Sequence, residues 1–191
     1  LGRADTRRGT PSSKNIMITS SLETDRLWIR RFHPNDVASV HSYMSDPNII
    51  EHFPENLFSY NDTKNFVESN LNENAKNFAL IQKFDDKLIG HVVFHEWFAP
   101  KTIEIGWVIS PLYQCKGFAS EAALQLLAYG FETLSAHRII ATCQPENSAS
   151  WRVMEKIRMR KEGHFLKCIF RRDRWIDEYF YAILIEEWKK S

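Results

Sequence analysis

The stretch from Thr102 to Cys143 restricts the fold more than any other part of the chain. Thr102-Ile103-Glu104-Ile105-Gly106-Trp107-Val108-Ile109 reads as a strand, and Ser110-Pro111 stops it. A short loop then leads into a long helical pattern from about Phe118, with Ala123, Leu127, Phe131 and Leu134 on one face. Arg138-Ile139-Ile140-Ala141-Thr142-Cys143 returns as a strand and Pro145 closes it. Strand, helix and strand in that order need a sheet with helices laid on it.

The remaining segments extend the same architecture. Residues 27–32 read as a strand, broken at His33-Pro34-Asn35-Asp36, which caps a helix carrying Val37, Val40, Tyr43 and Met44. Asp46-Pro47-Asn48 reads as a turn, and Asn61-Asp62 begins a second helix with Phe66, Val67, Asn70 and Leu71. Residues 78–81 and 88–94 flank Phe84-Asp85-Asp86-Lys87 as a hairpin. Glu146-Asn147-Ser148 opens a helix with Val153 and Ile157, and two last strands, around 164–170 and 175–184, join at Arg171-Arg172-Asp173-Arg174. The predicted order is β-α-α-β-β-β-α-β-α-β-β, a mixed α/β sheet covered by helices.

Composition narrows the function. Apolar residues supply 43% and charged residues 26% of 191, which excludes a disordered chain. The formal net charge is +1, so nothing electrostatic calls for a nucleic acid or an anionic membrane. No run approaches the roughly 18 apolar residues of a membrane span. Cys115, Cys143 and Cys168 are widely spaced with no Cys-x-x-Cys pair, a pattern that fits a reducing cytoplasm and neither a disulfide framework nor a metal site. Residues 1–15 carry Arg3, Arg7, Arg8 and Lys14 without an apolar core, and are expected to be a cloning remnant or disordered tail. Residues 16–191 are expected to form one domain.

The chemistry is expected at Ile109-Ser110-Pro111-Leu112-Tyr113-Gln114-Cys115-Lys116-Gly117-Phe118-Ala119-Ser120. A helix start presents unpaired backbone N–H groups and a partial positive charge, suited to an anion such as a pyrophosphate. Gly117 permits φ > 0 and close approach, and Ala119 is small. There is neither a Gly-Lys-Ser/Thr triplet nor a three-glycine dinucleotide fingerprint.

Gln114-x-x-Gly117-x-Ala119 at the mouth of a helix resembles the acetyl-CoA signature of the GNAT N-acetyltransferase superfamily. Leu22-Glu23-Thr24-Asp25-Arg26-Leu27, Glu104-Ile105-Gly106-Trp107, Pro145-Glu146-Asn147-x-x-Ser150 and Asp177 with Glu187-Trp188 resemble its RimJ/RimL-like, ribosomal-protein N-terminal acetyltransferase branch, in order over some 165 residues. The resemblance implies a mostly antiparallel sheet with one splayed parallel strand pair and helices on both faces. It implies acetyl-CoA as co-substrate and direct attack by a primary amine, either a protein N-terminus or a small amine.

It further implies that backbone groups of Trp107, Val108 and Ile109 face the cofactor, one N–H polarising the thioester carbonyl. Backbone amides of Cys115, Lys116, Gly117, Phe118, Ala119 and Ser120 would hold the pyrophosphate, with Gln114 and Lys116 as side-chain auxiliaries. Asn147 and Ser150 fall where the family contacts pantetheine and sulfur. Many relatives carry a Tyr seven residues after that Asn to protonate the leaving thiolate. Here Met154 stands there and has no proton to give, so Ser150 or water takes that role, or the thiolate leaves unprotonated.

Glu104 is the expected general base, with His95, Glu96, Asp177 or water in reserve. Aromatics around 53–60, Trp97-Phe98 and Trp175 are candidates for the acceptor wall. Relatives usually place Gly after the helix end where Arg158 follows Ile157, so that helix ends differently or is less stable. Two other readings stay open, a non-catalytic CoA-binding sensor or scaffold and a polyamine or antibiotic acetyltransferase. Monomer and homodimer are both compatible with the sequence.

Overall fold

One eight-stranded sheet organises the computed structural model, which describes residues 18, 20–50 and 57–190. The expected tail at 1–15 and the aromatic Phe53 lie outside the described residues. The strands are β1 (Leu22–Glu23), β2 (Leu27–Arg30), β3 (Asn77–Gln82), β4 (Lys87–Glu96), β5 (Thr102–Ile109), β6 (Arg138–Cys143), β7 (Arg160–Arg171) and β8 (Arg174–Leu184). Their order in space is β1-β2-β3-β4-β5-β6-β8-β7, and among the described residues β5–β6 is the one parallel pair. The helices are α1 (Val37–Met44), α2 (Pro47–Ile50), α3 (Tyr60–Ser69), α4 (Phe118–Ala128), α5 (Ser148–Lys156) and α6 (Ile185–Trp188). The expected mixed sheet with helices on both faces, one splayed parallel pair included, is therefore the observed fold. Three local features differ from the reading above, the first being the four-residue α6 that follows β8. A two-residue β1 joins the edge, and the expected turn at 46–48 starts α2 instead, since Pro47 suits a first helical position.

Alternation along the strands divides the core in two. Leu27, Ile29, Phe94, Ile103 and Ile105 face α4, whose inner side is Phe118, Ala122, Ala123, Leu126 and Leu127. The alanines let that helix sit close to the sheet. Ala79, Ile81 and Val108 point to the opposite face, where Val40, Tyr43 and Met44 of α1 and Val67 of α3 cover them. Each such buried Leu, Ile or Phe contributes roughly 1.5–3 kcal/mol. α4 runs into a π-helical turn at Tyr129–Thr133, and Gly130 packs closely there: a Cβ would come within 2.7 Å of Ile139 Cδ1, which would have to shift.

α5 ends at a left-handed residue. Arg158 has φ +66°, its N–H donates to Glu155 O at 2.9 Å, and Met159 N–H donates to Met154 O at 2.9 Å. These are the two bonds of a glycine-type helix stop made by an arginine.

Candidate active site

Strands β5 and β6 share three paired positions, ending at Glu104↔Ile140, and then separate. On its other edge β5 stays paired with β4 as far as Gly90↔Ile109. Trp97 N–H donates to Thr102 O and Ser110 N–H to Ile89 O, both at 2.8 Å. Hydrogen-bonded pairs recur every second residue of an antiparallel ladder. Glu104, Gly106 and Val108 therefore turn their backbone groups to β4, and Trp107 and Ile109 turn theirs to the gap. Consistent with this, the Val108 carbonyl lies so close to Gly90 that a Cβ there would reach it at 2.1 Å. The Ile109 carbonyl accepts from Gln114 Nε2 at 3.0 Å. The N–H and C=O of Trp107 face the opening, where an extended ligand containing amides can pair as one more strand.

The loop after β5 makes two left-handed steps, Cys115 at φ +58° and Gly117 at φ +83°. Gly117 is the N-cap of α4, and Glu121 N–H is the donor to its carbonyl at 3.1 Å. The N–H groups of Phe118, Ala119 and Ser120 precede that first bond and have no intrahelical acceptor, so with the helix dipole they present an environment suited to an anion. Arg26 braces the loop from behind. Its Nη1 donates to Lys116 O at 3.1 Å, and its guanidinium lies 4.5 Å from the Phe118 ring centre. Lys116 turns its ammonium back to Leu112 O at 2.9 Å and over the Tyr113 ring. A cavity of about 530 Å³ opens here, lined by Tyr113, Gln114, Cys115, Gly117, Phe118, Ala119 and Ser120 on one side and by Asn147, Ser150, Arg152 and Val153 on the other.

A second cavity, of about 470 Å³, opens on the face under α1 and α3. Its walls include His91, Glu104, Thr142, Cys143, Met154, Glu178, Phe58 and Phe66. The two cavities share Trp107, Val108, Asn147 and Ser150. Asn147 holds the start of α5 by accepting from Ser150 N–H at 3.0 Å, which sets the Ser150 side chain at that junction.

The second cavity carries the ionisable groups. Glu104 Oε2 lies 3.6 Å from His95 Nε2, its cross-strand neighbour. Glu178 is half-buried. Burial, aided by the nearby Glu104 charge, holds its carboxyl above the ordinary range, although the Thr142 hydroxyl donates to it. Burial, aided by Glu178, pushes the Cys143 thiol up to about 12, so it stays protonated near neutral pH.

Of the reserve bases, His95 stands beside Glu104 and Glu96 is exposed at the end of β4. Asp177 faces away, accepting from Lys167 N–H at 2.8 Å and paired with His164 at 2.7 Å. Its neighbour Glu178 faces the cavity, because successive strand residues point to opposite faces. Glu178, Thr142, His91 and Arg152 are among the cavity residues that the sequence reading did not single out. Two adjacent carboxylates on one strand carry no local signal of which faces inward. Among the expected wall aromatics, Phe58 lines the second cavity, Trp97 packs on Phe180 at 5.4 Å, and Trp175 is exposed beside Phe170. Among the described residues, no group of three metal-ligating side chains occurs, and no helix is long and apolar enough to cross a membrane.

Residues 26–160 match the family model described as an acetyltransferase (GNAT) domain. An uncharacterized N-acetyltransferase of Bacillus subtilis, YnaD, is 53% identical over 167 residues, covering 87% of this chain and 98% of the relative. The crystal structure of a GNAT-family acetyltransferase from Bacillus anthracis superposes with a TM-score of 0.84 at 52% identity, covering 87% of this chain and 99% of that one. A spermidine N-acetyltransferase from Vibrio cholerae, solved with CoA and spermine, has the same fold with a TM-score of 0.75 at 24% identity, over 87% of this chain and 99% of that one. The chain belongs to the GNAT acetyltransferase family.

Proposed function

We propose that this acetyltransferase takes acetyl-CoA into the cavity between β5, α4 and α5, and a primary amine into the cavity under α1 and α3. The acetyl group passes between them at Trp107, Val108, Asn147 and Ser150. The observation that carries this reading is that two separate cavities meet where the parallel pair opens. The fit to a CoA-type ligand rests on the Trp107 amide turned to the gap and on the free N–H groups at the start of α4.

In this reading the amine nitrogen attacks the thioester carbon directly, so no cysteine is needed. Glu104, steadied by His95, takes the proton as the C–N bond forms. The Trp107 N–H stabilises the developing oxyanion, a contribution typically worth a few kcal/mol. As the C–S bond breaks, Ser150 or water supplies a proton to the thiolate, since Met154 cannot. Glu104 and Glu178 on one cavity wall favour an acceptor that arrives as an ammonium ion.

The test is calorimetric titration with acetyl-CoA, followed by thiol release with a panel of primary amines. Binding and turnover with at least one amine are expected. Binding with no turnover on any amine would support a CoA-binding module instead.

A further inference from the structure

His91 lies in β4 directly across from Val108, one of the residues at which the two cavities meet. It is 2% exposed, lies 5.2 Å from the Phe66 ring centre, and lines the acceptor cavity. Its Nδ1 lies 2.8 Å from the hydroxyl of Tyr43, which is fully buried. This contact fixes the tautomer. Among the described residues His91 Nδ1 is the one hydrogen-bond partner of the Tyr43 hydroxyl. If His91 donated from Nδ1, the buried Tyr43 proton would be stranded without an acceptor, and buried donors left unpaired are rare because they are costly. Tyr43 therefore donates, Nδ1 accepts, and the imidazole proton sits on Nε2.

Nε2 has no hydrogen-bond partner among the described residues, on a ring that forms part of the cavity wall. Burial also pulls the ring's pKa down to about 3, so it is neutral at physiological pH and cannot be the base.

We infer that His91 is a specificity-determining donor: its Nε2–H, held in place by Tyr43, hydrogen-bonds an oxygen of the acceptor, so the cavity selects primary amines that carry a carbonyl or ether/hydroxyl oxygen near the attacking nitrogen. This deepens the acetyl-transfer reading above and rests on it. A buried site built to bond an oxygen discriminates against an analogue lacking it, because the donor is then left unpaired.

The test uses the full chain with acetyl-CoA and three acceptors: alaninamide (a carbonyl oxygen), 2-methoxyethylamine (an ether oxygen) and n-butylamine, which matches the ether in length and has no oxygen. Wild type should show kcat/KM at least about tenfold higher for an oxygen-bearing amine than for n-butylamine. His91→Phe should reduce that ratio to within about twofold, chiefly through KM, and His91→Gln, which keeps a donor, should retain part of it. Preference for alaninamide alone assigns the carbonyl as the group bonded, and preference for both oxygen-bearing amines assigns any nearby oxygen. An unchanged ratio in His91→Phe, or an equal loss on all three amines, overturns the inference.

Nitrogen NMR of the wild-type ring needs no variant. It should show a protonated Nε2 and a bare Nδ1, with the Nε2 signal moving when alaninamide is added. A proton on Nδ1, or no response to alaninamide, overturns the inference even if the variants fail to fold. If no amine is acetylated while the Nε2 signal still responds, the acetyl-transfer reading fails and the donor assignment stands.

Discussion

Arg26 and Glu121 form an ion pair at 2.6 Å that fastens the edge of the sheet to the first turn of α4. Glu121 also accepts from the Thr24 hydroxyl at 2.5 Å and from Arg26 N–H at 2.9 Å. Burial alone would raise its carboxyl, but those donors and the guanidinium hold it below the ordinary range, so it remains charged. The same guanidinium bonds Lys116 O, which makes Arg26 a positioning residue for the loop proposed above to hold the anion. Arg26→Ala should raise KM for acetyl-CoA about tenfold, with kcat nearly unchanged. Arg26→Lys keeps the charge but not the fork, and should recover only part of the loss. Equal falls in kcat for both variants, at constant KM, would contradict the assignment.

Gly117 supplies the left-handed step that opens the helix start. A valine at φ +83° would cost roughly 1–2 kcal/mol, and its Cβ would meet Arg26 Nη2 at 3.4 Å. Gly117→Val should weaken acetyl-CoA binding at least about tenfold by calorimetry and lower the melting temperature by several degrees. Unchanged binding in a folded variant would remove the loop from the cofactor site.

The framework was legible because its signals are local. The 2-residue period of Thr102–Ile109, the Ser110-Pro111 stop and the single Gly117 identify β5, the loop and the start of α4 without tertiary information. What lies across strands was not legible. Trp107 differs from Val108 by the parity of the β4 ladder, which is a property of pairing register. Glu178 was passed over for Asp177, since which of two neighbouring carboxylates faces inward depends on how β8 pairs with β6. His91 reads as an ordinary strand residue until Tyr43, 48 positions earlier, is brought to it.

Glu104 is the carboxylate nearest the point where β5 and β6 part. Glu104→Gln keeps the shape and removes the proposed proton acceptor. It should lower kcat by about 100-fold or more while leaving acetyl-CoA affinity within twofold. If kcat falls less than about threefold, water or another group accepts the proton.

Arg158 occupies a left-handed position that glycine would take without strain. Arg158→Gly removes a cost of roughly 1–2 kcal/mol, offset by about 0.4–1 kcal/mol from the freer unfolded chain. A net gain near 0.5–1 kcal/mol should raise the melting temperature by about 1–4 °C. Arg158 is exposed beyond the end of α5, so thiol release should be unaltered. Destabilisation would mean that the arginine side chain contributes more than its backbone costs.

Glu178 should appear in the pH dependence of stability, with a sign that follows from its raised pKa. An acid whose folded pKa lies above its unfolded value binds its proton more tightly in the native state. Its contribution is fully present below the ordinary carboxylate range and is lost as pH rises through that range to the folded pKa. Above the window the native state holds a charged, half-buried carboxylate beside Glu104. Glu178→Gln cannot ionise and still offers an oxygen to Thr142, so it escapes that loss. The variant's melting temperature should exceed wild type at pH 7–8, and the difference should shrink toward zero as the pH falls to about 4. Because the Glu104 charge adds to burial in raising the Glu178 pKa, Glu104→Gln should narrow the window from above. Thermal melts of the single and double variants across this range measure both effects. A difference independent of pH would show that Glu178 titrates as an ordinary surface carboxylate.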